Sequence, residues 1–243
     1  MRAAWKWTKL VWVYAKPMPR RRKLSIDMLK PSVLAGLRQG YLRVRVDPEK
    51  YLRRVQRAHG LPIRQWSDML LLGPEVVNPI ADRTIKSAQR FAALEGMGLG
   101  VGGAITIIGD LGVLSAITIR LLQRLSLLYG FEYATDEEVA ALWIAAGSAA
   151  GLDLSREIIE KQAIERLVPK IMDRVAVKMS AEVAEKWSGR LIPLVSAGLG
   201  GTLNYYFVRS WGRRAKKHFF ERHLAIRANA RRIPARTAEL LPN

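Results

Sequence analysis

The stretch that decides the fold is residues 96–130, which read GMGLGVGGAITIIGDLGVLSAITIRLLQRLSLLYG. It is the longest apolar tract of the chain. It has six glycines between Gly96 and Gly109 and a single acid, Asp110. In its second half, apolar side chains recur at helical spacing and share one face: Leu114, Ile117, Leu121, Leu125 and Leu128. We therefore predict an all-α fold, a single helical domain built around glycine-rich hairpins of small residues, with basic segments at both ends.

Gly109 and Asp110 predict an interruption inside this stretch. Asp110 has the side chain of an N-cap and would accept from the first free amides of a helix over Leu111–Leu128. The residues Met97–Ile119 are numerous enough to span a bilayer. However, a carboxylate at the centre of a span costs about 2.5–3.5 kcal/mol. We favour a buried helical hairpin broken at Gly109-Asp110, and insertion of residues 97–128 into a bilayer stays open.

Three glycines of the stretch, Gly98, Gly100 and Gly103, match the dinucleotide-binding pattern G-x-G-x-x-G. That pattern requires a strand before it and an acid about 20 residues beyond it. The residues before it have a helical pattern, and residues 111–131 contain no acid. We therefore predict no nucleotide cofactor, and no other cofactor is indicated.

The same glycines are better explained as helix-packing residues. Small residues spaced four apart give a helix a flat face on which a second helix can approach closely. A second stretch with this spacing, LIPLVSAGLGGTLNYYFV, occupies residues 191–208. The residues predicted to pack helices are Gly96, Gly98, Gly100, Gly102, Gly103, Gly200 and Gly201.

Helix starts are marked along the rest of the chain. Asp47 followed by proline predicts an N-cap, and Gly73-Pro74 precedes a long helical pattern. Thr135 and Glu138 have the spacing of a capping box. Ser155 is predicted to cap a long amphipathic helix. These starts predict helices on both sides of the central stretch.

The formal charge of +19 is concentrated at the two ends. Residues 1–60 hold 16 Lys and Arg against 3 acids, and residues 209–243 hold 10 against 2, whereas residues 61–208 hold 14 against 16. We divide the chain accordingly into a basic amphipathic segment (1–60), a helical domain (61–225) and a basic tail (226–243). Basic ends are attracted to polyanions such as anionic lipid or nucleic acid.

The N-terminal residues combine positive charge with tryptophan. Their apolar run is too short for a signal peptide, so we do not predict secretion. A helix that is cationic on one side and aromatic on the other suits a membrane interface, although docking on the protein's own core is the commoner fate. The residues predicted to contact an anionic surface are Trp5, Trp7, Trp12, Arg20, Arg21, Arg22, Lys23, Arg213, Arg214, Lys216 and Lys217.

Metal and nucleophile chemistry receive little support. The chain has no cysteine and only three histidines, of which His218 and His223 are expected on a solvated basic segment. No metal site is predicted. The patterns HExxH and GxSxG are both missing from the sequence.

Several of these pieces together resemble the EcsC family. They are the glycine-rich opening 96–103, the Gly109-Asp110-Leu111 element, the run Arg120–Gly130 and the late block Ile192–Asn204 followed by a basic helix. The resemblance covers about residues 85–225, and Ser196 is a mild departure from it. It implies a mostly helical bacterial protein associated with an ABC transporter system, without an agreed molecular activity. By position, it makes Asp110, Tyr129, Gly130 and Asn204 the residues expected to matter.

We interpret the sequence as a non-catalytic cytoplasmic protein, peripheral to the inner membrane and accessory to a transporter-like complex. Two alternatives stay open. One is a hydrolase- or peptidase-like enzyme with a buried polar site around Asp110 and Asn204, although a helix cap is the commoner role for such an acid. The other is a non-specific polyanion binder, because no motif for specific nucleic-acid recognition is present.

Overall fold

The computed structural model describes residues 25–42, 45–99, 104–153, 164–187 and 196–239, with the side chains of 97–99, 104–110, 164–166, 186–187, 196–200 and 230–239 left undescribed. Within these ranges the regular structure is helical, and no strand occurs there. A short 3₁₀ helix spans Trp66–Leu71. The α-helices are α1 (Ile26–Leu42), α2 (Pro48–His59), α3 (Pro74–Leu99), α4 (Ala104–Leu128), α5 (Asp136–Ala149), α6 (Ile164–Trp187) and α7 (Ser196–Glu239). The prediction of an all-α fold is confirmed.

Helix α4 lies at the centre of the fold. It packs against α1, α3, α5 and α7, while α1 and α5 also pack against α6. Residues Leu111–Leu128 of α4 are long and apolar enough to cross a membrane, yet 67% of them are buried inside the protein. A core helix surrounded by other helices has this composition because it must be apolar on nearly every side.

The predicted interruption at Gly109-Asp110 is wrong, because α4 runs without a break from Ala104 through Asp110 to Leu128. One glycine inside a helix costs only about 1 kcal/mol relative to alanine, which packing easily outweighs. The two helices of the hairpin are instead α3 and α4. Helix α3 ends at Leu99 and α4 begins at Ala104, with three glycines among the four residues between them.

Local capping chemistry sets several helix boundaries as predicted. The Asp47 side chain accepts from the Lys50 backbone amide, and α2 ends at Gly60 in the left-handed conformation. Thr135 and Glu138 form both hydrogen bonds of a capping box at the start of α5. These caps satisfy amides that have no partner inside the helix. Ser155 lies outside the described residues.

One close helix contact involves glycines that the sequence analysis overlooked. Gly36 on α1 lies against Gly112 on α4, where an added Cβ would come within 2.1 Å of the Gly112 carbonyl oxygen. One turn further along α1, a Cβ on Gly40 would come within 2.7 Å of the Ala116 Cα. Small residues four apart on both helices therefore allow the two backbones to touch, which is the packing predicted for other glycines.

The glycines predicted to pack helices are only partly described. Gly96 is buried near the end of α3, and Gly201 is buried in α7. Gly98 and Gly200 belong to helices, but their surroundings are not described. Gly100, Gly102 and Gly103 lie outside the described residues.

The buried core extends into residues 1–60. Leu29, Val33 and Leu37 of α1 are almost completely buried and belong to the same hydrophobic cluster as the residues of α4. Tyr51 and Val55 of α2 join it as well. Residues 25–42 and 45–60 are thus part of the helical core.

We predict different effects for two glycine-to-alanine substitutions at the α1–α4 crossing. Gly36→Ala should lower the free energy of unfolding by about 1–3 kcal/mol, because its Cβ would collide with backbone. Gly112→Ala should be neutral or stabilising by up to about 1 kcal/mol, because a Cβ there meets only the Ser32 carbonyl oxygen, at 3.5 Å. Urea unfolding of both variants measures the difference, and equal stabilities would contradict this account of the crossing.

Candidate functional site

The family resemblance singled out Asp110, Tyr129, Gly130 and Asn204. Asp110 lies in the N-terminal part of α4, and Tyr129 and Gly130 follow its C-terminal end, while Asn204 lies on α7. Helices α4 and α7 run parallel, since Leu121 lies beside Gly212 and the backbone of Tyr129 lies beside His223. Asp110 and Tyr129 are separated by about 28 Å along the helix axis at a rise of 1.5 Å per residue. These positions therefore cannot converge on one small active site.

Tyr129 follows the last residue of α4 and is fully buried. Its hydroxyl donates to Oδ1 of Asn78 on α3 over 2.7 Å. Burial raises the pKa of the Tyr129 hydroxyl well above its usual range, and the nearby Asp82 carboxylate raises it further. At neutral pH the side chain keeps its proton and serves as a hydrogen-bond donor between two helices.

Gly130 makes the turn that ends α4. Its φ of 85° lies in the left-handed region, and a Cβ would come within 2.7 Å of the Leu70 side chain. The Phe131 amide donates to the Ser126 carbonyl, and the Gly130 amide donates to the Leu127 carbonyl. This pair of bonds is the Schellman motif, which strongly favours glycine at this position. Gly130 therefore has a structural reason to be glycine.

His223 is fully buried, so the expectation that it lies on a solvated segment is wrong. Its Nδ1 lies 3.1 Å from the Tyr129 carbonyl oxygen, and its Nε2 lies 3.3 Å from the Leu72 carbonyl oxygen. Arg227, one turn further along α7, also donates to the Leu72 carbonyl. The side chains of His223 and Arg227 thus hold α7 against the C-terminal ends of α4 and of the 3₁₀ helix.

A signal for His223 was present in the sequence. Gly212, Ala215, Phe219 and His223 recur at spacings of three and four and are all buried. They form an inward-facing stripe on a helix that is otherwise rich in basic residues. The number of charges in this segment concealed the periodicity.

At the other end of the fold, Asn204 of α7 is buried, with 1% of its surface exposed. Counting back eleven residues from Leu121 and Gly212 gives Asp110 and Gly201. Because the helices are parallel, Asp110 lies at the same end of the fold as Asn204. The Asp110 side chain is outside the described residues, so a polar site between the two stays a prediction.

The basic cluster predicted at 213–217 divides into two kinds of side chain. Arg213 and Lys217 are exposed to solvent. Arg214 lies 3.0 Å from Glu182 on α6, and Lys216 lies 2.7 Å from Asp82 on α3. Lys217 also lies 3.9 Å from Glu221, one turn further along α7, so three of these four cations have acid partners among the described residues. The predicted surface residues Trp5, Trp7, Trp12 and 20–23 lie outside the described residues.

A second cationic surface joins three helices that are distant in sequence. Arg54 of α2, Arg83 of α3 and Arg124 of α4 line a cavity of about 210 Å³. Tyr51, Thr84, Ser87 and His59 are also on its walls, and none of the described residues that line it is an acid. Sequence reasoning missed this site because it considered the charges at the chain ends and not the way that α2, α3 and α4 assemble.

Arg124 is the least exposed of the three arginines of this cavity. Its guanidinium carbon lies 5.7 Å from the centre of the Tyr51 ring, within the range of a cation–π contact. Its Nε is buried and makes no hydrogen bond within the described part of the chain. Burial lowers the pKa of Arg124, an effect that Tyr51 opposes and that Arg120 and Arg54 increase. The surroundings of Arg124 therefore favour binding of an anion beside its guanidinium group.

A larger cavity of about 530 Å³ adjoins the first, because both are lined by Ser87 and Arg124. Most of its other walls are apolar and come from α3 and α4, including Phe91, Val113 and Ile117. The volume lies within the roughly 300–1,000 Å³ typical of small-ligand sites. Polar and apolar cavities thus meet at Arg124.

The described residues contain no group of three or more His, Cys, Asp or Glu side chains that could hold a metal ion. The chemistry that the described sites offer is therefore mainly that of arginine, hydroxyl and apolar groups.

Comparison with known proteins identifies the family. The chain matches the model of the EcsC protein family over residues 39–224. It is also 32% identical over 158 residues to Protein EcsC of Bacillus subtilis (strain 168), in an alignment that covers 61% of this chain and 63% of that relative. The chain thus spans less than two thirds of the length of the curated relative. No solved structure matches.

The resemblance drawn from the glycine-rich opening, the end of α4 and the late block is therefore confirmed, and the chain belongs to the EcsC protein family.

Proposed function

We propose that this EcsC-family protein is a non-catalytic cytoplasmic protein that binds the anionic inner face of the cytoplasmic membrane. The observation that carries the proposal is the cationic face formed by α2, α3 and α4, which has exposed apolar side chains beside it. We define this face by its exposed basic residues: Lys50, Arg53, Arg54, Arg57, Arg83, Lys86, Arg90 and Arg120.

The charge of the cationic face supports attraction to anionic lipid. Each Lys or Arg near an anionic membrane surface contributes about 1 kcal/mol of binding free energy. Arg53 lies 3.5 Å from Glu49 and Lys50 lies 3.3 Å from Asp47, so these two are partly neutralised. The arginines around the cavity have no acid on its walls.

Apolar side chains complete the surface. Phe91 and Leu94 of α3 are 53% and 64% exposed and lie one helical turn apart. Val113 of α4 is also exposed and lines the same cavity as Phe91. Cationic and apolar side chains on one surface are the combination with which peripheral proteins bind at a membrane interface. On α7, the exposed side chains of Arg213 and Lys217 add positive charge outside the cationic face.

We further propose that the protein acts with a membrane complex of the transporter type. The support for this partner is the family alone, because an association with such a system is what the family resemblance implies. A location at the membrane surface is compatible with that role. The cationic face also suits nucleic acid, and the vesicle experiment below separates the two ligands.

We predict that the protein floats with vesicles that contain phosphatidylglycerol and does not float with neutral vesicles. Changing both Arg54 and Arg57 to Gln should weaken binding by about 2 kcal/mol, roughly thirtyfold, because two membrane-facing charges are lost. Changing Phe91 to Ser should weaken it further without altering the charge. Flotation with increasing salt measures both effects.

The matched control changes two exposed cations of α7, Arg213 and Lys217, to Gln. It removes the same charge, so a similar loss of binding would show that net charge, and not the cationic face, governs attachment. No flotation of the unaltered protein with anionic vesicles would refute the membrane proposal. Retention by a nucleic-acid matrix in its place would favour the polyanion alternative.

We predict that Tyr129 supports the fold and does not take part in chemistry. Tyr129→Phe should lower the free energy of unfolding by about 1 kcal/mol, because a hydrogen bond to Asn78 is lost. Tyr206→Phe is the control, since Tyr206 is 56% exposed and its change should be nearly neutral. Thermal unfolding and flotation are measured together. Loss of flotation by a stable Tyr129→Phe variant would contradict the structural role.

A further inference from the structure

The two adjoining cavities of the cationic face differ in chemistry. The smaller one has three guanidinium groups, contributed by Arg54, Arg83 and Arg124 from different helices, and the hydroxyl of Ser87, whereas the Thr84 hydroxyl donates to the Ile80 carbonyl. Arginine binds phosphate through several directed N–H groups, and serine or threonine hydroxyls commonly add to such sites. With no acid on its described walls, this cavity is suited to a phosphate group with more than one negative charge.

Arg124 points to a specific ligand and not only to a diffuse anionic surface. A charge at an exposed rim is stabilised by water, whereas a buried charge without a partner is costly. The Nε of Arg124 is buried and makes no hydrogen bond within the described residues. The side chain is held under the Tyr51 ring, and Tyr51 itself is 8% exposed. A phosphate oxygen in the smaller cavity would supply the missing counter-charge.

The larger cavity indicates what is attached to that phosphate. It shares Arg124 and Ser87 with the smaller cavity, and it continues over apolar side chains of α3 and α4. Phe91 and Val113 are on its walls and are also exposed at the surface. A ligand that is charged at one end and apolar at the other would therefore use both cavities.

We propose that the two cavities form one binding site for a lipid whose headgroup is a phosphate monoester, with the phosphate among Arg54, Arg83 and Arg124 and the start of an acyl chain beside Phe91. This inference rests on the proposed membrane function, because the lipid reaches the site from the membrane surface. A phosphate monoester has two ionisable oxygens, whereas the diester of phosphatidylglycerol has one. Three converging arginines discriminate between them by charge.

The test compares vesicles that contain phosphatidic acid with vesicles that contain phosphatidylglycerol. A series of phosphatidylglycerol contents brackets the surface charge of the phosphatidic acid vesicles, so that charge density alone is accounted for. The unaltered protein should bind phosphatidic acid at least about tenfold more tightly than phosphatidylglycerol at equal surface charge, as expected for an added charge-assisted hydrogen bond.

Three variants locate the preference. Arg124→Gln should remove this preference: binding to phosphatidylglycerol should fall by about fivefold, as for the loss of any one membrane-facing charge, and binding to phosphatidic acid should fall by at least about tenfold more. Ser87→Leu should also remove it by filling the junction of the cavities without changing the charge. Arg57→Gln is the matched control, because Arg57 is exposed and lines neither of these two cavities. It should weaken binding to both kinds of vesicle equally.

The outcomes separate this proposal from the broader one. Binding to both anionic lipids without preference overturns the phosphate site and leaves the membrane proposal standing, whereas no binding to either overturns both. A soluble phosphate monoester, glycerol 3-phosphate, that competes as effectively as the lipid would overturn the lipid assignment. If Arg124→Gln unfolds, Ser87→Leu decides, and a Ser87→Leu protein that keeps the full preference overturns the site.

Discussion

The contact on which the structure most depends is the backbone approach of α1 to α4 at Gly36 and Gly112. A central helix that is apolar on almost every side is stable in water only when other helices cover most of its surface. On the α1 side the two backbones lie so close that an added Cβ at Gly36 would lie 2.1 Å from the Gly112 carbonyl oxygen. This contact fixes α1 at one depth, and α1 in turn packs against α6. Helices α3, α5 and α7 pack against other sides of α4.

Local chemistry was predictable from the sequence because it depends on residues a few positions apart. The caps at Asp47 and Thr135 and the apolar periodicity of α3 and α4 belong to this class. The interruption at Gly109-Asp110 was predicted wrongly for a related reason. A helix-breaking tendency of about 1 kcal/mol decides whether an isolated segment forms a helix. Tertiary packing outweighs it when the helix is buried on several sides.

The candidate sites were less predictable because they depend on which helices meet. His223 looked like part of a basic segment until the packing of α7 placed it against two carbonyl oxygens. Arg54, Arg83 and Arg124 are separated by many residues, and only the assembly of α2, α3 and α4 brings them to one cavity. Residues 61–208 are nearly neutral in sum. This sum could not show that their cations and acids lie on different sides of the helices.

Helix α3 explains how that separation arises. Between Glu75 and Glu95 its only acid is Asp82, which faces α7 and pairs with Lys216. Asn78, one turn earlier, receives the Tyr129 hydroxyl, so these polar side chains serve to hold neighbouring helices. Arg83, Thr84 and Ser87 line the cavity on another side of the same helix. Because packing against α7 uses the one acid in the middle of α3, the side that lines the cavity keeps its positive charge. The anchoring of α7 and the cationic character of the cavity are thus two consequences of one amphipathic pattern.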